Sequence, residues 1–180
     1  MDLILIKIIL SLLFTNKKET KYFCEKPKYN VVSKVDSNDN KKTEKSTKEE
    51  KPIGKIRIPK INLDNNLYNI DSKLNTTEKN IQVLKSSDMP NVENGNLILA
   101  SHSGEASISY FKNLDKLEIN DEIIVNYNNI NYNYKVSNIY EVAKTGKIGI
   151  KRDKNKKTLT LITCKGDFKQ LVVICYLDKI

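Results

Sequence analysis

The sequence predicts an all-β fold, an antiparallel barrel or sandwich carrying small helices. Three observations lead there. Short apolar blocks rich in Ile, Val, Leu and Tyr recur from Ile53 to the C-terminus. Turn-forming pairs such as Asn120-Asp121 and Asn128-Asn129 separate them. The blocks also follow one another too closely for the helical crossovers that a parallel sheet requires.

At 180 residues the chain has room for one domain and a tail. Its net charge of +9 is spread along the chain: +4 lies in Met1–Pro52 and +5 in the remainder. Nearly all of the excess is lysine, since Arg57 and Arg152 are the only arginines. Readers of nucleic acid favour arginine for bidentate contacts, so no nucleic-acid partner is expected. Three cysteines, Cys24, Cys164 and Cys175, leave at least one unpaired within a monomer. With no CxxC pair and a single histidine, neither a metal nor another cofactor is expected.

Residues 1–14 (MDLILIKIILSLLF) are almost wholly apolar. As a helix they would cover about 20 Å, less than the roughly 30 Å of a bilayer core. Lys17 and Lys18 follow this run, and only Asp2 precedes Lys7, so the charge order is not that of a standard signal peptide. The expectation is membrane association through a short signal-like or amphipathic anchor, or the remnant of a longer one. Residues 15–51 are rich in Lys, Glu, Ser and Asn with little to bury, the composition of a disordered tether. Cys24 within it has no evident role.

The folded domain is expected over residues 52–180. Ile56, Ile58 and Ile61 alternate with polar residues in a strand that Pro59 breaks. Leu67–Ile70 is a second short apolar piece. Ser72–Val83 suits a short helix capped by Ser72 or Asn75, with Glu78 in its first turn. Asn96–Ala100 (NLILA) reads as a buried strand that delivers His102, the one histidine of the chain. Ile108, Phe111, Leu114 and Leu117 recur every third residue, which fits one or two helical turns. Glu122–Tyr127 and Ile130–Val136 form a hairpin candidate across Asn128-Asn129, and Ile139–Val142 continues the sheet. A short strand is expected at Lys147–Ile150, within a lysine-rich connection. The last two strands lie in Thr158–Cys175 (TLTLITCKGDFKQLVVIC), joined by a polar turn.

Chemistry converges on two strand ends. Cys164 closes the first strand of that pair, on the face of Ile162, where a rigid backbone can present an accessible sulfur. A thiol becomes a good nucleophile when a neighbouring cation or imidazole raises its thiolate fraction, and His102 is the available imidazole. Cys175, inside LVVICYL, reads as a core residue. Ser101 and Ser103 flank His102, but no GxSxG elbow accompanies them, which argues against a serine hydrolase.

From Pro52 onward the sequence resembles the catalytic domain of a sortase, a cysteine transpeptidase of Gram-positive cell envelopes. TLITC ending at Cys164 is similar to the family's TLxTC signature, and ASHSG around His102 to its histidine motif. Ile53–Ile61, Ser109–Val125 and Tyr132–Val142 are similar to further blocks, in the same order. The resemblance implies an eight-stranded, antiparallel-rich β-barrel. It implies that Cys164 attacks a Thr–Gly type bond of a sorting signal and forms an acyl-thioester. His102 would protonate the leaving amine and deprotonate the incoming one. Implied partners are sorting-signal peptides and an amine acceptor, either a peptidoglycan precursor or a pilin lysine. The implied location is the cell membrane, with the domain outside the cell.

The family's third residue is an arginine just before the last strand, and here the sequence departs from the pattern. Gln170 stands in its place, an amide donor without charge. Arg152, in the connection before the Cys164 strand, is the next candidate for a cation over the groove, and Lys169, expected on the opposite face, is third. The connection lacks the helix inserted in one sortase class and would leave a basic surface beside the groove. With the arginine missing, two alternatives stand beside transpeptidation: a catalytically degenerate barrel that binds envelope peptides or polymers, and a thiol hydrolase that releases surface proteins.

Overall fold

The longest strand, Ile130–Ala143, runs fourteen residues and is the spine of the sheet. It follows directly from the Asn128-Asn129 turn, where both residues take positive φ (52° and 61°), the requirement of a tight hairpin turn. The computed structural model describes residues 20–21 and 50–180. Its strands are β1 (Thr20–Lys21), β2 (Gly54–Ile58), β3 (Leu63–Leu67), β4 (Gln82–Val83), β5 (Asn96–Ala100), β6 (Glu122–Tyr127), β7 (Ile130–Ala143), β8 (Lys147–Ile148), β9 (Thr158–Lys165) and β10 (Lys169–Lys179). The expected anchor at residues 1–14 lies outside the described residues, as does all of the 15–51 tether except β1, Glu50 and Lys51.

Eight strands form a nearly closed barrel in the order β3-β2-β6-β7-β10-β9-β5-β4, while β1 pairs with β8 apart from it. The all-β barrel expectation holds. Every barrel pairing is antiparallel except β5 on β9, which run parallel from Asn96 against Thr158 to Ala100 against Ile162. Leu97, Leu99, Leu159, Leu161, Leu171, Val173 and Cys175 point inward with Ile56, Ile123, Tyr134 and Phe111 to fill the barrel. The alternate residues of the same strands, Ile98, Ala100, Ile162, Val172 and Ile174, form a second apolar surface on the outside. Ile148 of β8 packs onto that outer surface, so the 144–157 connection folds across it. Two tyrosines pin the connection down: Lys151 N–H donates to the Tyr140 hydroxyl at 2.9 Å and Asp153 N–H to the Tyr176 hydroxyl at 2.8 Å.

Several elements differ from expectation. No helix forms over Ser72–Val83; the chain makes turns there and ends in β4. Asn75, expected as a helix cap, instead clamps β4, accepting from Val83 N–H at 2.7 Å and donating to the Val83 carbonyl at 2.9 Å. A side chain that satisfies a strand end across eight residues competes with local helix formation. Phe111, Leu114 and Leu117 are buried as the three-residue spacing suggests, but only Leu114–Lys116 is helical, as one 3-10 turn. The second strand is Leu63–Leu67 and not Leu67–Ile70, because Leu63 and Leu67 share the inward face while Asp64 and Asn66 face out. Gly54 sits where β2 meets β6, and a Cβ there would lie 2.4 Å from the Asn126 carbonyl oxygen, so only glycine fits this approach.

Candidate active site

The parallel register of β5 on β9 sets the site. Ala100 is opposite Ile162, and two residues further along each chain stand His102 and Cys164. Adjacent strands lie about 4.8 Å apart, so this register brings the two residues to the same level on neighbouring backbones. The chain beyond β5 stays zipped to β9: Ser101 N–H donates to the Ile162 carbonyl at 3.3 Å, Thr163 Oγ1 to the Ser101 carbonyl at 2.8 Å, and Ser103 Oγ to the Cys164 carbonyl at 2.6 Å. Phe111 N–H in turn donates to the His102 carbonyl at 3.1 Å. His102 is therefore held on both sides by backbone bonds.

The antiparallel register of β10 on β9 adds the third member. Gln170 is the direct partner of Cys164 and, on the other side, of Val142. Cross-strand partners share a face, so Cys164 and Gln170 both extend the outer apolar surface of Ile162 and Val172. Lys169, one residue earlier, falls on the other face and pairs with Glu141 at 2.7 Å. Gln170 is only 3% exposed. Its Oε1, the Ser101 Oγ and the His102 Nε2 are three of the five buried side-chain polar atoms without a hydrogen-bond partner among the described residues. Buried polar atoms are seldom left unpaired, and two of these, on His102 and Gln170, lie on the strands either side of Cys164.

Arg152 is elsewhere. Its guanidinium Nη1 donates to the carbonyls of Asn94 (3.1 Å), Asp153 (3.4 Å) and Lys156 (3.4 Å) and to Thr158 Oγ1 (3.4 Å). Thr158 begins β9, six residues and about 20 Å from Cys164. The structure brings together His102, Cys164 and Gln170 but not Arg152.

The Cys164 sulfur is engaged in a disulfide. Cys175 is a free thiol, fully buried, and burial pushes its pKa far up; Cys24 lies outside the described residues. Attack on a carbonyl requires a thiolate, which reduction of the Cys164 disulfide would release.

Two acidic residues with no sequence signal also belong to this region. Burial works to raise the Glu78 carboxyl, but hydrogen bonds from its own backbone and from Thr76 and Thr77, together with the charge of His102, hold it below the ordinary carboxylate range. Asp115 accepts a hydrogen bond from Lys165 Nζ at 2.8 Å, which lowers its carboxyl and raises the ammonium. Ser103, Phe111, Lys112, Asp115, Thr163, Cys164, Lys165, Gly166 and Leu171 line a cavity of about 150 Å³ at the barrel mouth. Among the described residues no three His, Cys, Asp or Glu side chains converge as metal ligands.

Comparison with known proteins bears on the barrel and its family. The sortase domain model matches residues 56–178. The structure is similar to a lid mutant of sortase A from Corynebacterium diphtheriae, at TM-score 0.62 and 25% identity over 76% of this chain and 75% of that one. It is similar to sortase C1 from Streptococcus agalactiae, at TM-score 0.60 and 29% identity over 72% and 68%. A third similar structure is a sortase D5 transpeptidase from Clostridium perfringens, at TM-score 0.59 and 26% identity over 71% and 79%. A search among curated proteins finds no match. With the barrel, the strand order and two thirds of the sequence matching one family model, the chain belongs to the sortase family.

Proposed function

We propose that this sortase cleaves a sorting-signal peptide through an acyl-thioester on Cys164 and transfers the acyl group to an amine. The observation that carries the reading is the shared level of His102 and Cys164 beyond the Ala100–Ile162 pair. In the reduced protein the Cys164 thiolate attacks the scissile carbonyl, His102 gives its proton to the departing amine, and the C–N bond breaks. The incoming amine then attacks the thioester carbonyl, His102 takes its proton, and the C–S bond breaks to restore the thiolate. Splitting amide exchange in this way replaces one high barrier with two lower ones. Gln170, buried beside Cys164, supports the oxyanion through its amide N–H. The peptide approaches Cys164 past the end of the outer apolar surface, which Ile148 and the 144–157 connection already cover. The N-terminal apolar run would hold the domain at the outer membrane face; among the described residues no helix is long and apolar enough to cross a membrane.

The test is incubation of the reduced chain with a sorting peptide and a primary amine. A thioester on Cys164, seen by intact mass, and a ligated product are expected. Cys164→Ala and His102→Ala should abolish both while leaving the melting transition in place. Turnover retained by either variant would overturn the mechanism. The neutral Gln170 favours one second reading, a barrel that binds sorting peptides without cleaving them; peptide binding by the reduced protein with no adduct at Cys164 would select it.

A further inference from the structure

The two sides of Cys164 differ in character. On the outer side, Ile162, Ala100, Val172 and Ile174 continue away from it as an apolar face buried under Ile148 and the 144–157 connection. On the barrel-mouth side lies the cavity closed by Ser103 and Thr163, with Phe111 and Leu171 as its floor. Its rim carries Lys112, Lys165 and one carboxylate, Asp115. Asp115 and Lys165 face each other at 2.8 Å with side chains 43% and 42% exposed. A pair this exposed is weakly held, so either partner exchanges readily for another ion.

We propose that this cavity receives the acceptor amine, and that Asp115 captures its ammonium by taking the place of Lys165. The inference rests on the transpeptidase reading above. An incoming amine must occupy the place that the leaving amine vacates, since the two steps are formally the reverse of one another at the same carbonyl. The outer apolar face is already covered by Ile148 and its connection, so the barrel-mouth cavity, which Cys164 itself helps to line, is the open space beside the sulfur. There Cys164 and Ser103 line the cavity, and Ser103, which follows His102 in the chain, bonds to the Cys164 carbonyl, so the cavity opens beside the segment that carries the base. A primary amine arrives protonated near neutrality, and a carboxylate already held ionised by Lys165 is the group that recognises it. Transfer of one proton to His102 then gives the neutral amine, which forms the C–N bond as the C–S bond breaks.

The experiment uses the reduced full chain with a sorting peptide and a lysine-containing peptide as acceptor, measuring thioester, ligated and hydrolysed product. In Asp115→Asn the ratio of ligated to hydrolysed product should fall about fivefold through a higher KM for the amine, and Asp115→Glu should recover part of it. Lys165→Gln, which frees Asp115, should lower the amine KM. An unchanged amine KM in Asp115→Asn, or a loss of thioester formation as large as the loss of ligation, would overturn the acceptor site. Absence of any thioester in the parent protein would instead overturn the transpeptidase reading itself.

Discussion

Cys164 and Gln170 are direct cross-strand partners, and Gln170 is buried with its Oε1 unpaired. At that distance, about 5 Å between Cβ atoms, an amide can reach an oxygen bound at the sulfur. The family keeps an arginine here; a neutral amide stabilises a developing oxyanion less, yet in a buried place its N–H has few competitors. Gln170→Ala should therefore lower kcat/KM by about a hundredfold, the low end of the range seen when one oxyanion donor is removed. Steady-state cleavage of a sorting peptide checks this. A silent Gln170→Ala would assign the oxyanion to backbone N–H groups.

Arg152 provides a contrasting forecast. Its four contacts are with Asn94, with Asp153 and Lys156 before β9 and with Thr158 at the start of β9, so it ties the connection to the barrel. Arg152→Ala should lower the melting temperature by a few degrees, on the order of 1 kcal/mol for the lost bonds. Peptide cleavage should keep its rate. A variant with unchanged melting and a tenfold lower rate would return Arg152 to the catalytic centre.

The redox state of Cys164 makes a third. A sulfur in a disulfide has no lone thiolate to offer, so activity should be absent after preparation without reductant. It should rise on adding a dithiol, in step with the release of the Cys164 thiol, while the buried Cys175 stays unreactive in the folded protein. Full turnover without reductant, with the disulfide intact by mass, would remove Cys164 as nucleophile.

Much of the fold was legible because it rests on local signals. The β6–β7 hairpin followed from two asparagines that tolerate positive φ, and the β9–β10 pair from alternating apolar residues around Lys165–Phe168. The turn region before β4 was not legible as such. Ser72, Asn75 and Glu78 spell a helix start, but Asn75 spends its amide on Val83, a contact that no local pattern encodes. In the site, Cys164 and His102 stand at strand ends that their flanking apolar runs announce. Asp115 reaches Lys165 across fifty residues, and Glu78 meets His102 only through the packing of its turn. The cross-strand placement of Gln170 could be read in outline, since the turn before β10 is short. The position of Arg152 could not, because a connection without regular structure gives no register.

Cys175 leads to the last prediction. It is fully buried among Val136, Leu159 and Tyr134, and burial pushes its thiol far above the usual range; burial does the same to the Tyr134 phenol. Both groups thus stay neutral in the folded protein at pH values where the unfolded chain would ionise them. The unfolded state then binds fewer protons, so stability is fully present below the unfolded pKa values and is lost as pH rises above about 8.5 for the thiol and about 10 for the phenol. The melting temperature should fall through this alkaline window. Cys175→Ala removes one of the two groups, so its curve should decline less steeply between about pH 8.5 and 10. At neutral pH the same variant should be about 1 kcal/mol less stable, from the lost sulfur contacts. Thermal melts of the reduced protein from neutral to alkaline pH separate the two effects, and parallel curves for parent and variant would show that Cys175 does not contribute to the alkaline loss.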